Sequence, residues 1–185
     1  YAEAVLQRPF NQVSGSAVWE FSLNASGDVN GAVVEMKSGE KTAIGFTVYN
    51  GKLLFGSAEI AEIPGGTDLA GIKVQLDTEK NTFVMSVNGK RIDGVFPFTE
   101  ECGYVDRMYM RTTESNVGTL GLSYVRIYSN LHVNEKFLTS VSELPDDWDW
   151  NDSGAVKVVK KMGSISPDIY SLKLTDSSNT EKTVI

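Results

Sequence analysis

Cysteine is almost absent from this sequence. Cys102 is the single thiol in 185 residues, so no internal disulfide can form and a packed interior must hold the fold. That economy suits a bacterial secreted protein as well as a cytosolic one. Histidine is equally scarce: His132 stands alone, which leaves little general acid–base equipment near neutral pH. No apolar run approaches the ~20 residues that a membrane-spanning helix needs. No ten-residue segment carries an apolar stripe of helical period, and none has the basic amphipathic pattern that favours a membrane surface. Basic charge is also short. There are 17 Lys and Arg against 24 Asp and Glu, net -7, without the Lys/Arg clusters that neutralise phosphates, so nucleic acid is excluded as a partner. The paired glycines of "EIPGGTD" (62–68) lack the Lys-Ser/Thr and helix of a phosphate loop and read as a turn.

What the sequence has in abundance is short strands. Segments 17–23, 31–36, 43–49, 52–58, 72–76, 82–87, 107–113 and 122–128 are rich in β-branched and aromatic residues and are separated by Gly, Asn, Asp or Pro. Ile72, Val74 and Leu76 alternate with Lys73 and Gln75, and Phe83, Met85 and Val87 share one face. Asn50-Gly51 and Asn88-Gly89 each interrupt an alternating run, as two-residue hairpins with positive φ at both corners require. With 41% apolar residues to fill an interior, the expectation is an all-β fold: a two-sheet antiparallel β-sandwich of jelly-roll type.

The expected domain spans residues 1–130, followed by a connector at 131–140 and further strands in 141–185. Two readings of those last strands stand side by side. They complete this sandwich, or they open a second similar module. Starting at Tyr1 with no initiator Met, the chain is expected to be a segment of a longer protein.

Three stretches carry a resemblance: "FNQVSGSAVWEF" (10–21), "IKVQLDTEKNTFVMSVNGK" (72–90) and "YMRTTESNVGTLGLSYVRIY" (109–128). Their order resembles the laminin-G-like or concanavalin-A-like jelly roll, over about two thirds of the chain. Ser123 stands where such modules frequently carry an Asp. "LPDDWDW" and "YSLKLTD" in the tail look like the lead-in of bacterial extracellular modules attached to polysaccharide-degrading enzymes. This resemblance implies a carbohydrate context, outside the cell or at its surface.

Catalytic constellations are thin. Laminarinase-type jelly rolls carry an E-x-D-x-x-E triplet whose carboxylates flank the scissile bond, whereas Glu20 stands alone on its strand. "RTTES" (111–115) matches part of an alginate-lyase pattern, but the remaining elements are missing. Cys102 has no identifiable base and sits beside two glutamates, so an inert thiol is expected. Binding groups are better represented. Alternation places Val105, Arg107, Tyr109 and Arg111 on one face, with Tyr104, Asp106, Met108 and Met110 on the core side. An aromatic ring between two guanidinium groups can stack on a sugar while the forks grip a carboxylate or sulfate. Tyr124, Arg126 and Tyr128 are expected on a neighbouring strand, beside that row. Trp148 and Trp150 offer flat rings for pyranose stacking, or plug one end of the sandwich. Asp146, Asp147, Asp149 and Asp152 supply hard oxygen ligands that make calcium a possible cofactor, although their spacing fits no known calcium loop.

The sequence therefore leads to the expectation of a non-catalytic carbohydrate-binding module, with an anionic polysaccharide as ligand and other domains of a secreted parent protein as neighbours. The alternatives are a structural or adhesive spacer without a sugar site, and a polysaccharide lyase or glycoside hydrolase.

Overall fold

The computed structural model describes residues 3–114 and 117–129, plus the backbone of strands at 133–135, 149–150, 156–160 and 170–176. The described residues form two antiparallel sheets. The seven-stranded sheet has the order β13-β1-β10-β3-β4-β5-β6. Its members are β1 (Val5–Val13), β3 (Val33–Ser38), β4 (Lys41–Tyr49), β5 (Lys52–Phe55), β6 (Ala58–Glu62), β10 (Val105–Arg111) and β13 (Asp149–Trp150). The eight-stranded sheet runs β14-β15-β11-β2-β7-β8-β9, with β12 (Val133–Glu135) paired to β11 off that path. It comprises β2 (Ser16–Gly27), β7 (Ala70–Asp77), β8 (Thr82–Val87), β9 (Lys90–Pro97), β11 (Gly118–Tyr128), β14 (Val156–Lys160) and β15 (Tyr170–Asp176). The fold is a two-sheet β-sandwich.

Both Asn-Gly dipeptides make the tight hairpins expected of them. Asn50 and Gly51 have φ of 49° and 70°, Asn88 and Gly89 of 50° and 78°, which is the left-handed geometry a two-residue primed turn needs. Tyr49 then pairs with Lys52 and Val87 with Lys90, so each turn fixes the register of the ribbon it closes. One strand boundary differs from the sequence reading. Residues 52–58 are not a single strand, because Gly56 at φ 58° turns the chain between β5 and β6.

The interior follows the period of two. On β2, Ala17, Trp19, Phe21 and Leu23 are buried while Val18, Glu20 and Ser22 alternate outward. Phe46 from the opposite sheet sits 6.1 Å from Trp19, 6.3 Å from Phe21 and 6.2 Å from Phe83, joining the sheets through one aromatic cluster. Phe55 and Phe96 extend it towards the β6/β9 side. Each such ring contributes about 1.5–3 kcal/mol by leaving water, and more through edge-to-face packing.

Two departures from simple alternation decide what faces outward. On β11 the register moves from Leu122 opposite Leu23 to Tyr124 opposite Ser22, so Ser123 is an extra, bulged residue. This bulge absorbs the phase slip between Leu120 and Leu122 before it, and Val125 and Ile127 after it, all of which are buried. A regular strand continuing from Leu122 would turn Tyr124, Arg126 and Tyr128 into the core. At the start of β10 the pairing with β1 jumps from Pro9 opposite Arg107 to Val13 opposite Val105, an irregularity on the β1 side. Val105 is fully buried beside Met108 and Met110, so it does not share the outward face of Arg107 as alternation had implied.

Candidate functional site

Arg107, Tyr109 and Arg111 do project from the outer face of the seven-stranded sheet, with Met108 and Met110 beneath them. Tyr109 lies between Gln7 on β1 and Glu35 on β3, in line with Gly45 on β4. Among the described residues, Arg107, Arg111 and Lys37 of this face are all engaged locally. Arg107 donates to the Gly39 carbonyl and to Gln7 Oε1 at 3.4 Å, and its Nη2 lies 3.6 Å from Glu40. Arg111 pairs with Glu3 at 3.4 Å. Lys37 sits 5.4 Å over the Tyr109 ring and donates to Glu35 at 3.4 Å and Thr42 at 3.2 Å. Burial pushes the Tyr109 phenol pKa up. The arrangement covers the sheet with paired long side chains, as cross-strand ion pairing does on many wet sheet faces.

Tyr124, Arg126 and Tyr128 are not beside that row. The strands β10 and β11 follow each other in sequence but belong to different sheets, so the two rows look out from opposite sides of the sandwich. The joint surface expected from the sequence is thereby ruled out, and each face must be judged separately.

The β11 face is the more organised of the two. The Arg126 guanidinium lies 5.2 Å from the Tyr124 ring centre and 5.8 Å from that of Tyr128, between the two aromatics. Glu20, directly opposite Arg126 on β2, is the hub beneath them. Its carboxylate accepts from Tyr124 Oη at 3.3 Å and Tyr128 Oη at 3.1 Å, and pairs with Lys73 Nζ at 3.0 Å and Arg126 Nη1 at 3.7 Å. Burial raises the Glu20 pKa, but the hydrogen bonds from Lys73 and Tyr128, the Lys73 charge and the bond from Tyr124 outweigh it. Its pKa lies below the ordinary range. The same contact, first through the Glu20 hydrogen bond, holds the Lys73 pKa high. Burial raises that of Tyr124. The result is a fixed array of two rings, two cations and one ionised carboxylate. Sequence reading had noticed Glu20 only as an isolated acid, because its partners lie far along the chain.

Tyr128 also borders a shallow groove of about 760 Å³ on the same face. Strand register divides this region into transverse rows. Arg126, Glu20, Lys73, Ser86 and Arg91 stand opposite one another across β11, β2, β7, β8 and β9. The adjacent row is Tyr128, Val18, Gln75 and Val84, continued by Val95 in the β9 bulge. Ser16, Asp77 and Thr82 form the third. Asp77 caps its own turn, accepting from Glu79 and Lys80 amides and from Lys80 Nζ at 2.6 Å, and these bonds, the Lys80 side chain first, lower its pKa. Of the residues in these rows, only Arg126, Tyr128 and Glu20 were weighed as functional from the sequence.

Trp148, His132, Asp146, Asp147 and Asp152 lie outside the described residues, and only the backbone of Asp149 and Trp150 is placed, on β13 beside β1. Among the described residues no cluster of three or more His, Cys, Asp or Glu is arranged to hold a metal ion. Among them, too, no helix is long and apolar enough to cross a membrane. Cys102 is buried, and burial, ahead of its other contacts, raises its pKa.

No known protein family's pattern matches this sequence, and no curated protein does. Solved structures do share the fold. A chain described as a sialidase superposes with a TM-score of 0.54 at 15% identity, covering 94% of this chain. This chain spans 14% of that sialidase's length. Lactose- and MES-liganded congerin II has a TM-score of 0.45 at 13% identity, covering 66% of this chain and 98% of its own. Sheep galectin-11 in complex with glycerol has a TM-score of 0.43 at 17% identity, covering 65% and 98%. At such identities the sialidase match establishes the β-sandwich architecture and nothing about a ligand.

Proposed function

We propose that this chain is a non-catalytic carbohydrate-binding β-sandwich module, and that its sugar-binding surface is the outer face of the eight-stranded sheet. The observation that carries this reading is the Tyr124–Arg126–Tyr128 stack fixed on Glu20 and Lys73 at the rim of a groove. Aromatic faces stack on the C–H faces of pyranose rings, and charged groups held in advance bind hydroxyls and anions with little ordering loss. The galectin-type and sialidase neighbours fit a sugar ligand without arguing for one. An anionic polysaccharide is favoured, because Arg126, Lys73 and Arg91 share a row with one carboxylate, Glu20, on a protein whose net charge is -7.

The absence of catalysis is part of the proposal. Glu20 and Asp77 both have lowered pKa values, which favours ionised carboxylates over a proton-donating acid of the kind a glycosidase uses. The tail's resemblance to extracellular modules supports placement in a secreted multidomain protein, at or outside the cell surface. There the module binds polysaccharide or packs against a catalytic neighbour. On the seven-stranded face Lys37, Arg107 and Arg111 pair with Glu35, Glu40 and Glu3, which supports a spacer role for that side.

Affinity-gel electrophoresis in polygalacturonate tests the reading. The wild-type chain should be retarded and Tyr128→Ala much less so. Equal mobility with and without polygalacturonate, sulfated glycan or neutral xylan would favour the spacer. Release of new reducing ends or unsaturated products by the chain alone would overturn the non-catalytic assignment.

A further inference from the structure

The rows of the eight-stranded sheet go further than a single stacked sugar ring. Tyr128, Val18, Gln75, Val84 and Val95 cross five strands, a span of roughly 19 Å at the usual strand spacing. Four of the five offer apolar or aromatic surface, and Gln75 contributes an amide. The cationic row, Arg126–Lys73–Arg91, runs alongside at the roughly 7 Å that separates alternate residues of a strand. On the other side stand Ser16, Thr82 and the Asp77–Lys80 pair. Val95 is 64% exposed on β9, and among the described residues β9 is the edge strand of its sheet, so the groove is open at that end there.

We infer that this groove binds a linear anionic glycan laid across the strands. Its ring faces rest on Tyr128, Val18, Val84 and Val95, and its carboxylates or sulfates point to Arg126, Lys73 and Arg91. The inference rests on the carbohydrate reading above and adds the ligand's direction, extent and charge register. Banding argues for a glycan. A sugar chain has apolar C–H faces and polar edges, and here an apolar floor lies between two polar walls carrying both donors and acceptors. A linear acidic chain repeats its charge along one edge, as the cationic row does. The width of the floor, five strands, makes room for an oligosaccharide where a single ring would leave Val84 and Val95 uncovered.

Calorimetric titration of the whole chain with oligogalacturonates, disaccharide and hexasaccharide, provides the test. The hexasaccharide should bind about ten-fold tighter, equivalent to roughly 1.4 kcal/mol. Val95→Glu, at a solvent-exposed position of the floor, should remove most of that gain, so that hexasaccharide and disaccharide bind about equally. Arg91→Ala should weaken hexasaccharide binding and flatten its dependence on salt. A hexasaccharide that binds no tighter than the disaccharide overturns this inference and leaves the carbohydrate reading intact. So does a length gain that survives both Val95→Glu and Arg91→Ala. No heat with any oligogalacturonate, or with neutral cello-oligosaccharides, overturns both.

Discussion

Replacing Glu20 by Gln probes the hub on which the candidate site is built. The Glu20 side chain is 17% exposed and meets two phenols and two cations within 3.7 Å. Gln keeps the shape and one acceptor oxygen but abolishes the charge. Hydrogen bonds to a charged group contribute about 1.5–3 kcal/mol each when buried, and exposed ion pairs about 0.2–1 kcal/mol. Lys73 and Arg126 remain 42% and 32% exposed, so water screens them and takes up much of their loss. The expected loss is therefore about 1.5 kcal/mol at neutral pH. Urea unfolding would register it as a midpoint shift of about 0.7 M for a slope near 2 kcal/mol/M. The effect should depend on pH in a defined sense. The folded-state pKa of Glu20 lies below its ordinary 4.5, so its stabilisation is complete above that pH and disappears as pH falls through the lowered folded value. Wild type and Glu20→Gln should then converge in acid. Equal midpoints at neutral pH, or a gap that persists unchanged in acid, would refute the hub.

Other outcomes follow from the same geometry. Gly89 has φ 78° with open space around a would-be Cβ, so Gly89→Ala should cost about 1 kcal/mol through backbone strain alone; no loss would contradict the primed turn. Arg107→Ala on the opposite face should lower stability by about 1 kcal/mol, through the lost bond to the Gly39 carbonyl, and leave glycan binding unchanged. Weaker polygalacturonate retardation by that variant would move the site to the seven-stranded sheet. Cys102 should react with a thiol reagent slowly in the native protein and fully in denaturant, since burial both hides it and raises its pKa; rapid native labelling would contradict that burial.

Much of the scaffold was legible in the sequence because its signals are local. Asn50-Gly51 and Asn88-Gly89 announce their turns, and Ile72, Val74, Leu76, Met108 and Met110 announce their faces through a period of two. The missed features depend on distant partners. The Tyr124 and Tyr109 rows looked adjacent because β10 and β11 are consecutive, yet sheet membership depends on where the chain crosses over, and neither strand encodes that by itself. The burial of Val105 departs from the alternation where the pairing with β1 is irregular, between Pro9 and Val13, a partner far away in the chain. The role of Glu20 was hidden because Lys73, Tyr124 and Tyr128 reach it from 53, 104 and 108 positions away. One local clue was available: Leu120 and Leu122 are out of phase with Val125 and Ile127, which signals a bulge at Ser123.

The most direct measurement is an amide chemical-shift titration of the isotope-labelled chain with a hexagalacturonate. The account predicts shifts concentrated at Val18, Lys73, Gln75, Val84, Arg91 and Tyr128, with the Arg107–Arg111 segment unmoved. Shifts centred on Arg107, Tyr109 and Glu35, or none on either sheet, would contradict it.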